Sequence, residues 1–189
     1  HDRAALRVAL GHLARAEQAY EGLAALRLLA HAQGSLGTML LEAGNATEAI
    51  ARLEDALRGA ERTGDDALRA RSFVSLAQAL MGTGAFSRAE QALAEAERLT
   101  RAKRDGAQSA RIELAKAQLL RRTGHPTEAL TSYRQAITAL ERLGTGADLA
   151  RACNELGELL IEQQRPSEAA PYLARALQEL NPHRSPQRA

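Results

Sequence analysis

Arginine side chains recur at a fixed interval along this chain and together could bind carboxylate groups. Arg71, Arg111 and Arg151 are 40 residues apart, and His31 holds the same place one interval earlier. A guanidinium group can donate two parallel hydrogen bonds to one carboxylate. If the four residues share a surface, they form a basic row suited to acidic side chains or to the terminal carboxylate of an extended peptide.

The same column also has an explanation that needs no ligand. Repeats that descend from one ancestor share their residues by inheritance, so three matching arginines are not three independent observations. In this second interpretation the arginines lie on a solvated helix face or pair with nearby acidic residues such as Glu113 and Glu155. Both interpretations stay open from the sequence.

Other reactive residue types do not assemble into a catalytic or metal site. Cys153 is interpreted as a small buried hydrophobe and not as a nucleophile. The five histidines have no ligand spacing, and no paired His or Cys would build a zinc site. Asp65 and Asp66 resemble helix N-cap residues, and Gly144-Thr145-Gly146 is interpreted as a turn and not as a phosphate loop. We therefore expect no enzyme, no cofactor and no metal.

The elements that must position the arginines are set by a repeat of 40 residues. Several columns follow this period: a glycine or glutamine, then a small residue, then a large apolar residue, then alanine. The columns are Gly44, Gly84, Gly124 and Gln164; Ala49, Ala89, Ala129 and Ala169; Leu53, Leu93, Tyr133 and Leu173; and Ala56, Ala96, Ala136 and Ala176. A further column of leucines precedes each turn, at Leu40, Leu80, Leu120 and Leu160. Their spacing is that of amphipathic helices, so each repeat is predicted to be a helical hairpin.

Turn and cap residues agree with this prediction. Glycine at the end of a first helix can adopt the left-handed conformation at little steric cost. Pro126 and Pro166 fall at the first position of a second helix, where the missing N–H costs nothing. Asn45 is predicted to be an N-cap with Glu48 as its reciprocal partner. Gly64, Gly106 and Gly144 are predicted to end the second helices, and Pro171 to kink the last helix.

The pattern predicts an all-α chain of nine helices. Their predicted ranges are 3–21, 23–43, 46–63, 66–82, 86–104, 107–122, 126–143, 147–163 and 167–180. As domains, we expect one array over 1–182, with a half repeat at 1–22, full repeats at 23–64, 65–104, 105–144 and 145–182, and a flexible tail at 183–189. Because the chain starts at His1, it is expected to be a fragment of a longer protein.

The small–Leu–Gly–Ala–(Leu/Tyr)–Ala series, with the terminal Leu180-Asn181-Pro182, resembles an array of tetratricopeptide repeats. The period of 40 residues in place of 34 is similar to the extended arrays of bacterial regulatory proteins. The resemblance implies a right-handed α-solenoid of stacked antiparallel helix pairs, whose first helices line a concave groove. Gly34, Thr38, Ser75 and Ala115 stand where some members carry a two-helix carboxylate clamp, so that clamp is not expected.

A second stripe on each first helix, about 130° around from the leucines, is predicted to face this groove. It starts at the arginine column and continues at helical spacing. The predicted peptide-binding residues are His31, Thr38, Arg71, Val74, Gln78, Arg111, Leu114, Gln118, Arg121, Arg151, Asn154 and Glu158.

Composition restricts the possible partners. The net charge of +2, with 3% aromatic residues and no Trp, disfavours direct nucleic-acid binding. No apolar run reaches the length of a membrane span. One cysteine cannot form an internal disulfide, which favours a reducing compartment, and we expect the cytoplasm.

Two functions are carried forward. The preferred one is a non-enzymatic scaffold that binds a protein or peptide segment, acidic in character, in the concave groove. The alternative is a ligand-sensing or self-associating regulatory domain of a bacterial transcriptional regulator. Self-association would use exposed terminal residues, namely Leu6, Leu10 and Leu13 at one end or Tyr172 and Leu177 at the other.

Overall fold

A computed structural model describes residue 11 and residues 22–101, 105–144 and 146–180 of the chain. The described ranges contain α-helices joined by tight turns. The helices are α1 (Gly22–Glu42), α2 (Ala46–Arg62), α3 (Asp66–Gly82), α4 (Phe86–Arg101), α5 (Gly106–Arg122), α6 (Pro126–Leu143), α7 (Gly146–Glu162) and α8 (Pro166–Leu180). The predicted helix at 3–21 and tail at 183–189 lie outside the described residues.

The chain forms two compact units. Unit 1 spans His1–Arg104 and contains α1 to α4, and unit 2 spans Asp105–Ala189 and contains α5 to α8. Within each unit, every helix packs against its successor, and the two first helices also touch: α1 with α3, and α5 with α7. The predicted all-α fold of paired helices is confirmed within each unit, whereas one array over residues 1–182 stays a prediction.

Left-handed turns end the first helices as predicted. The φ angles of Gly44, Gly84 and Gly124 are +79°, +78° and +83°, and Gln164 holds the fourth place with φ +60°. Asn45 accepts a hydrogen bond from the Glu48 amide, which confirms its capping role. Since no side chain except glycine adopts this conformation without strain, the turn positions explain the glycine column.

One turn prediction was wrong. Gly106 does not end a second helix; it is the first residue of α5, which Asp105 caps by accepting a hydrogen bond from the Gln108 amide. Gly64 and Gly144 have left-handed φ angles of +66° and +67° and follow α2 and α6. An aspartate that can accept a backbone N–H therefore starts α5 where the sequence pattern favoured a stop.

Small residues let the two helices of each hairpin approach closely. Ala49, Ala89, Ala129 and Ala169 are at most 1% exposed. In the first hairpin a Cβ placed on Gly37 would lie 2.6 Å from Cγ of Leu53, so only glycine fits without a shift. Gly157 faces Leu173 in the same way, at 2.5 Å from its Cδ2. The alternation of small and large residues thus sets the spacing of the hairpin helices.

The last helix contains Pro171 in its interior, and α8 is nevertheless continuous from Pro166 to Leu180. Among the described residues, no helix has the length and apolar character required to span a membrane.

Candidate functional site

Six of the predicted groove residues lie close together in unit 2, on the two first helices of that unit. They are Arg111, Gln118 and Arg121 on α5, and Arg151, Asn154 and Glu158 on α7. We call these six residues the first-helix face of unit 2. The face is positioned by the direct packing of α5 on α7.

Two arginines of this face share a single carboxylate. Arg111 Nε donates to Asp148 Oδ2 at 2.7 Å, and Arg151 Nη2 donates to Asp148 Oδ1 at 2.9 Å. The Asp148 side chain is 15% exposed, while those of Arg111 and Arg151 are 42% and 47% exposed. These three side chains carry one net positive charge, held at the surface by an aspartate from the first turn of α7.

A buried carboxyl group lies behind the middle of the face. Gln118 Nε2 donates to both oxygens of Glu155, at 2.8 and 2.9 Å, and the Tyr133 hydroxyl donates to Oε2 at 3.0 Å. Burial raises the pKa of Glu155, against the opposing effect of the bonds from Gln118 and Tyr133. Burial likewise raises the pKa of the Tyr133 phenol, together with the negative charge of Glu155. Helices α5, α6 and α7 are thereby joined through one polar cluster.

The far end of the face is acidic. Arg121 donates to Glu158 Oε2 at 3.3 Å and also to Glu162, and Asn154 Nδ2 donates to Glu158 Oε1 at 2.8 Å. Burial opposes the charge of Arg121, but the bonds to Glu162 and Glu158 outweigh it and raise the pKa of the guanidinium. One arginine between two carboxylates leaves a net negative charge here, so the face is positive at one end and negative at the other.

The contacts between first helices follow one offset. Arg111 with Asp148, Gln118 with Glu155, and Arg121 with Glu158 each join residues 37 apart. The same offset recurs in unit 1, where the hydroxyl groups of Thr38 and Ser75 lie 3.3 Å apart. A residue on one first helix therefore meets the residue one repeat less three positions further along.

Unit 1 carries a related cluster at the start of α3. Asp65 caps α3 by accepting from the Leu68 amide at 3.0 Å. The same carboxylate accepts from Arg27 Nε at 3.1 Å and lies 3.0 Å from His31 Nε2. Burial opposes ionisation of Asp65, but the Leu68 amide, His31 and Arg27 outweigh it and lower its pKa. The predicted capping role of Asp65 is confirmed, and its role in holding Arg27 and His31 was not predicted.

Two of the predicted groove residues do not lie on an exposed face. Val74 on α3 is 8% exposed and Leu114 on α5 is 1% exposed, and Leu114 belongs to the core of unit 2. The stripe is therefore interrupted by core positions, because it lies close to the apolar side of each helix. Arg71 is exposed on α3 and Gln78 is half-buried there.

The acidic partners of the arginines also differ from those expected. Glu113 pairs with Lys116, and Glu155 binds Gln118 and Tyr133 in place of an arginine. The arginines use Asp148, Glu158 and Glu162, of which sequence analysis had named only Glu158, and as a groove residue. A search for opposite charges 37 residues after each arginine would have found Asp148 and Glu158.

The predicted burial of Cys153 is confirmed. Its side chain is 1% exposed in the core of unit 2, and burial raises the pKa of the thiol to about 11. A buried thiol that stays protonated at neutral pH is a poor nucleophile. Within the described ranges, no group of three His, Cys, Asp or Glu side chains could hold a metal ion.

Comparison with known proteins agrees with this architecture. A tetratricopeptide repeat family model matches residues 28–102 and 108–178, and a second tetratricopeptide repeat model matches residues 74–139. No curated protein sequence matches the chain.

Several solved structures share the fold. BtubC from P. vanneervenii is 19% identical with a TM-score of 0.73, the match covering 100% of this chain and 77% of that one. The apo form of RapI is 16% identical with a TM-score of 0.79 over 95% of this chain, which spans only 62% of RapI. Kinesin light chain-like repeats from Podospora anserina are 14% identical, with a TM-score of 0.60 and coverages of 98% and 90%. At these identities the likeness concerns the fold.

Proposed function

Because the chain belongs to the tetratricopeptide repeat family, we propose that it is a non-catalytic module that binds a segment of another protein on a first-helix face. Such repeats generally mediate protein–protein interaction, which supports the class of function. The choice of face within this chain rests on the charges described above.

The observation that carries the proposal is the pair of guanidinium groups on Asp148. A guanidinium has five N–H donors, and the bonds to Asp148 use one donor from each of Arg111 and Arg151. Asp148 holds the two groups side by side at the surface, which lowers the entropy lost when they bind a further anion. An acidic side chain of the bound segment fits here.

The opposite polarity at Glu158 and Glu162 restricts the segment further. Arg111 and Arg121 are ten residues apart on α5, which corresponds to about 15 Å along the helix axis. An extended chain spans this distance in about four to five residues, at about 3.3 Å per residue. The preferred ligand therefore has an acidic residue followed or preceded, at about that separation, by a basic residue.

A selection from a random dodecapeptide library, with the full chain as bait, tests the proposal. We expect enriched peptides to contain Asp or Glu, and Arg111→Gln with Arg151→Gln to weaken their binding about 10- to 100-fold, the effect of losing one charge-assisted hydrogen bond. Arg134→Gln with Arg175→Gln is the matched control, since it removes the same charge from the second helices α6 and α8 of the same unit.

Binding of the selected peptides that is equally tight with Arg111→Gln and Arg151→Gln would overturn the assignment of the face. Equal loss in the control pair would show that net charge alone had attracted the peptides.

A further inference from the structure

A groove of about 480 Å³ runs along the outer side of the last helix pair in unit 2. Its lining includes Ala150, Arg151 and Asn154 from α7, and Leu173 and Leu177 from α8. Leu177 and the neighbouring Leu180 are 63% and 65% exposed. Large apolar side chains this exposed on adjacent turns of a helix mark a surface that gains from being covered.

The same groove exists one repeat earlier, and there it is filled. Subtracting 40 from its residue numbers gives Ala110, Arg111, Leu114, Tyr133 and Ile137. The four apolar members of this earlier set are at most 5% exposed and share one core cluster with Leu149, Cys153 and Leu156 of α7. The molecule therefore contains an example of what the groove accepts, namely a helix seated as α7 is.

Polar contacts fix the position of α7 in the earlier groove. Asp148, in its first turn, accepts from Arg111, and Glu155 accepts from Gln118 and from the Tyr133 hydroxyl. In the open groove the equivalent places are held by Arg151, Glu158 and Leu173. The first contact is thus conserved, while the second is reversed in charge, because Glu158 stands where Gln118 was.

We propose that the open groove binds an amphipathic helix of a partner polypeptide, seated as α7 is seated one repeat earlier. The helix presents an acidic residue to Arg151 in its first turn and a basic residue to Glu158 two turns later. Apolar residues at the places of Leu149, Cys153 and Leu156 cover Ala150, Leu173 and Leu177. This site is separate from the proposed binding of an acidic segment beside Arg111.

The printed chain does not itself supply such a helix. Counting back 120 residues, α1 of a second copy would place Leu28 where Asp148 stands and Ser35 where Glu155 stands, so it offers neither charge. Residues 181–189 contain no acidic residue and two prolines. The charges of the groove thus point to a different polypeptide.

A synthetic peptide of residues 146–162 with Cys153→Ala and Glu155→Lys is the probe, because it copies α7 and corrects the clash with Glu158. We expect this labelled peptide to bind the full chain saturably in a fluorescence anisotropy titration. The peptide that keeps Glu155 should bind about tenfold more weakly, and so should one with Asp148→Lys, a loss equivalent to about 1.4 kcal/mol each. An isolated helix of this length is marginal in water, and the cost of ordering it lowers the affinity of all three peptides.

Variants of the chain locate the binding. Leu177→Glu should abolish it, while Leu143→Glu, at another exposed leucine of unit 2 outside the groove, should leave it unchanged. Glu158→Lys should reverse the preference so that the peptide with Glu155 binds more tightly. Circular dichroism of each variant establishes that the fold is retained, since both leucines are exposed.

Absence of saturable binding, or binding that Leu177→Glu does not change, would overturn the proposal. Arg111→Gln separates the two sites, because it should weaken the acidic dodecapeptides and leave the helical probe unaffected.

Discussion

Two buried carboxyl groups have pKa values displaced in opposite directions, and each displacement has a local cause. Glu155 lies between α5, α6 and α7, where burial raises its pKa despite three hydrogen bonds from Gln118 and Tyr133. Asp65 caps α3, where the Leu68 amide, His31 and Arg27 outweigh burial and lower its pKa. The two groups should therefore give stability opposite dependences on pH.

Replacement of Glu155 by Gln should remove a loss of stability that the wild type suffers as the pH rises. As pH increases, the unfolded chain releases the Glu155 proton first, since the folded pKa is higher, and the folded state is destabilised until the pH passes that raised value. The urea midpoint of Glu155→Gln, followed by circular dichroism, should thus gain on that of the wild type between pH 4 and pH 7. An unchanging difference between the two midpoints would contradict the raised pKa.

Asp65→Asn should show the opposite trend in the same experiment. The folded chain ionises Asp65 first, so the stabilisation by this group is present above the ordinary pKa of aspartate and is lost as the pH falls through the lowered value. Asparagine still caps the helix, so the comparison isolates the charge that Arg27 and His31 share. A wild-type advantage that persists at the lowest pH would argue against this assignment.

Each hairpin of helices is closed by a contact between a small and a large residue, and the tolerance of that contact differs between hairpins. Gly37 faces Leu53, which is fully buried, whereas Gly157 faces Leu173, which is only partly buried. Leu173 can move toward solvent when a methyl group is added, and Leu53 cannot.

Gly37→Ala should destabilise unit 1, and Gly157→Ala should leave unit 2 unchanged or slightly more stable. Alanine gains about 1 kcal/mol over glycine in a helix, while overpacking against Leu53 costs about 1–3 kcal/mol. Urea midpoints of both variants against the wild type check this. In a double-mutant cycle, the penalty of Gly37→Ala should shrink in a Leu53→Ala background; equal penalties in both backgrounds would show that the Leu53 contact is not its cause.

The hairpins themselves could be predicted from the sequence, since glycine turns, prolines at helix starts and the small–large columns are local signals. Every described helix begins and ends within one residue of its prediction, except that α4 ends at Arg101 where residue 104 was expected. Gly106 was misassigned because a glycine that ends a helix and one that follows an N-cap look alike in sequence. The burial of Val74 and Leu114 was missed because the stripe borders the core and its inner edge depends on packing.

The charges of the chain as a whole are almost balanced, and the polarity of the first-helix face is local. The net charge is +2, while the Arg111 and Arg151 end of the face is positive and the Glu158 and Glu162 end is negative. The column of arginines predicted the positive end. The negative end was hidden, because which acidic residues meet which arginines depends on the offset between packed helices.

A labelled DNA duplex should therefore show no saturable binding to the chain in fluorescence anisotropy at physiological salt. A balanced charge releases few counterions, and release of counterions drives most non-specific DNA binding. Saturable binding whose affinity falls steeply with added salt would contradict this expectation and would implicate the arginines in phosphate contacts.

The constant offset of 37 residues between facing side chains limits how the length of this protein can change. One residue inserted inside a helix would turn everything beyond it by about 100° around the helix axis and separate Arg111 from Asp148. Duplication of residues 106–145 as a block would keep every such pair and would bring a second copy of Asp148 to face Arg151. Growth by whole modules is thus the route open to evolution and to engineering, and the unoccupied groove beside α8 is where a new module would attach.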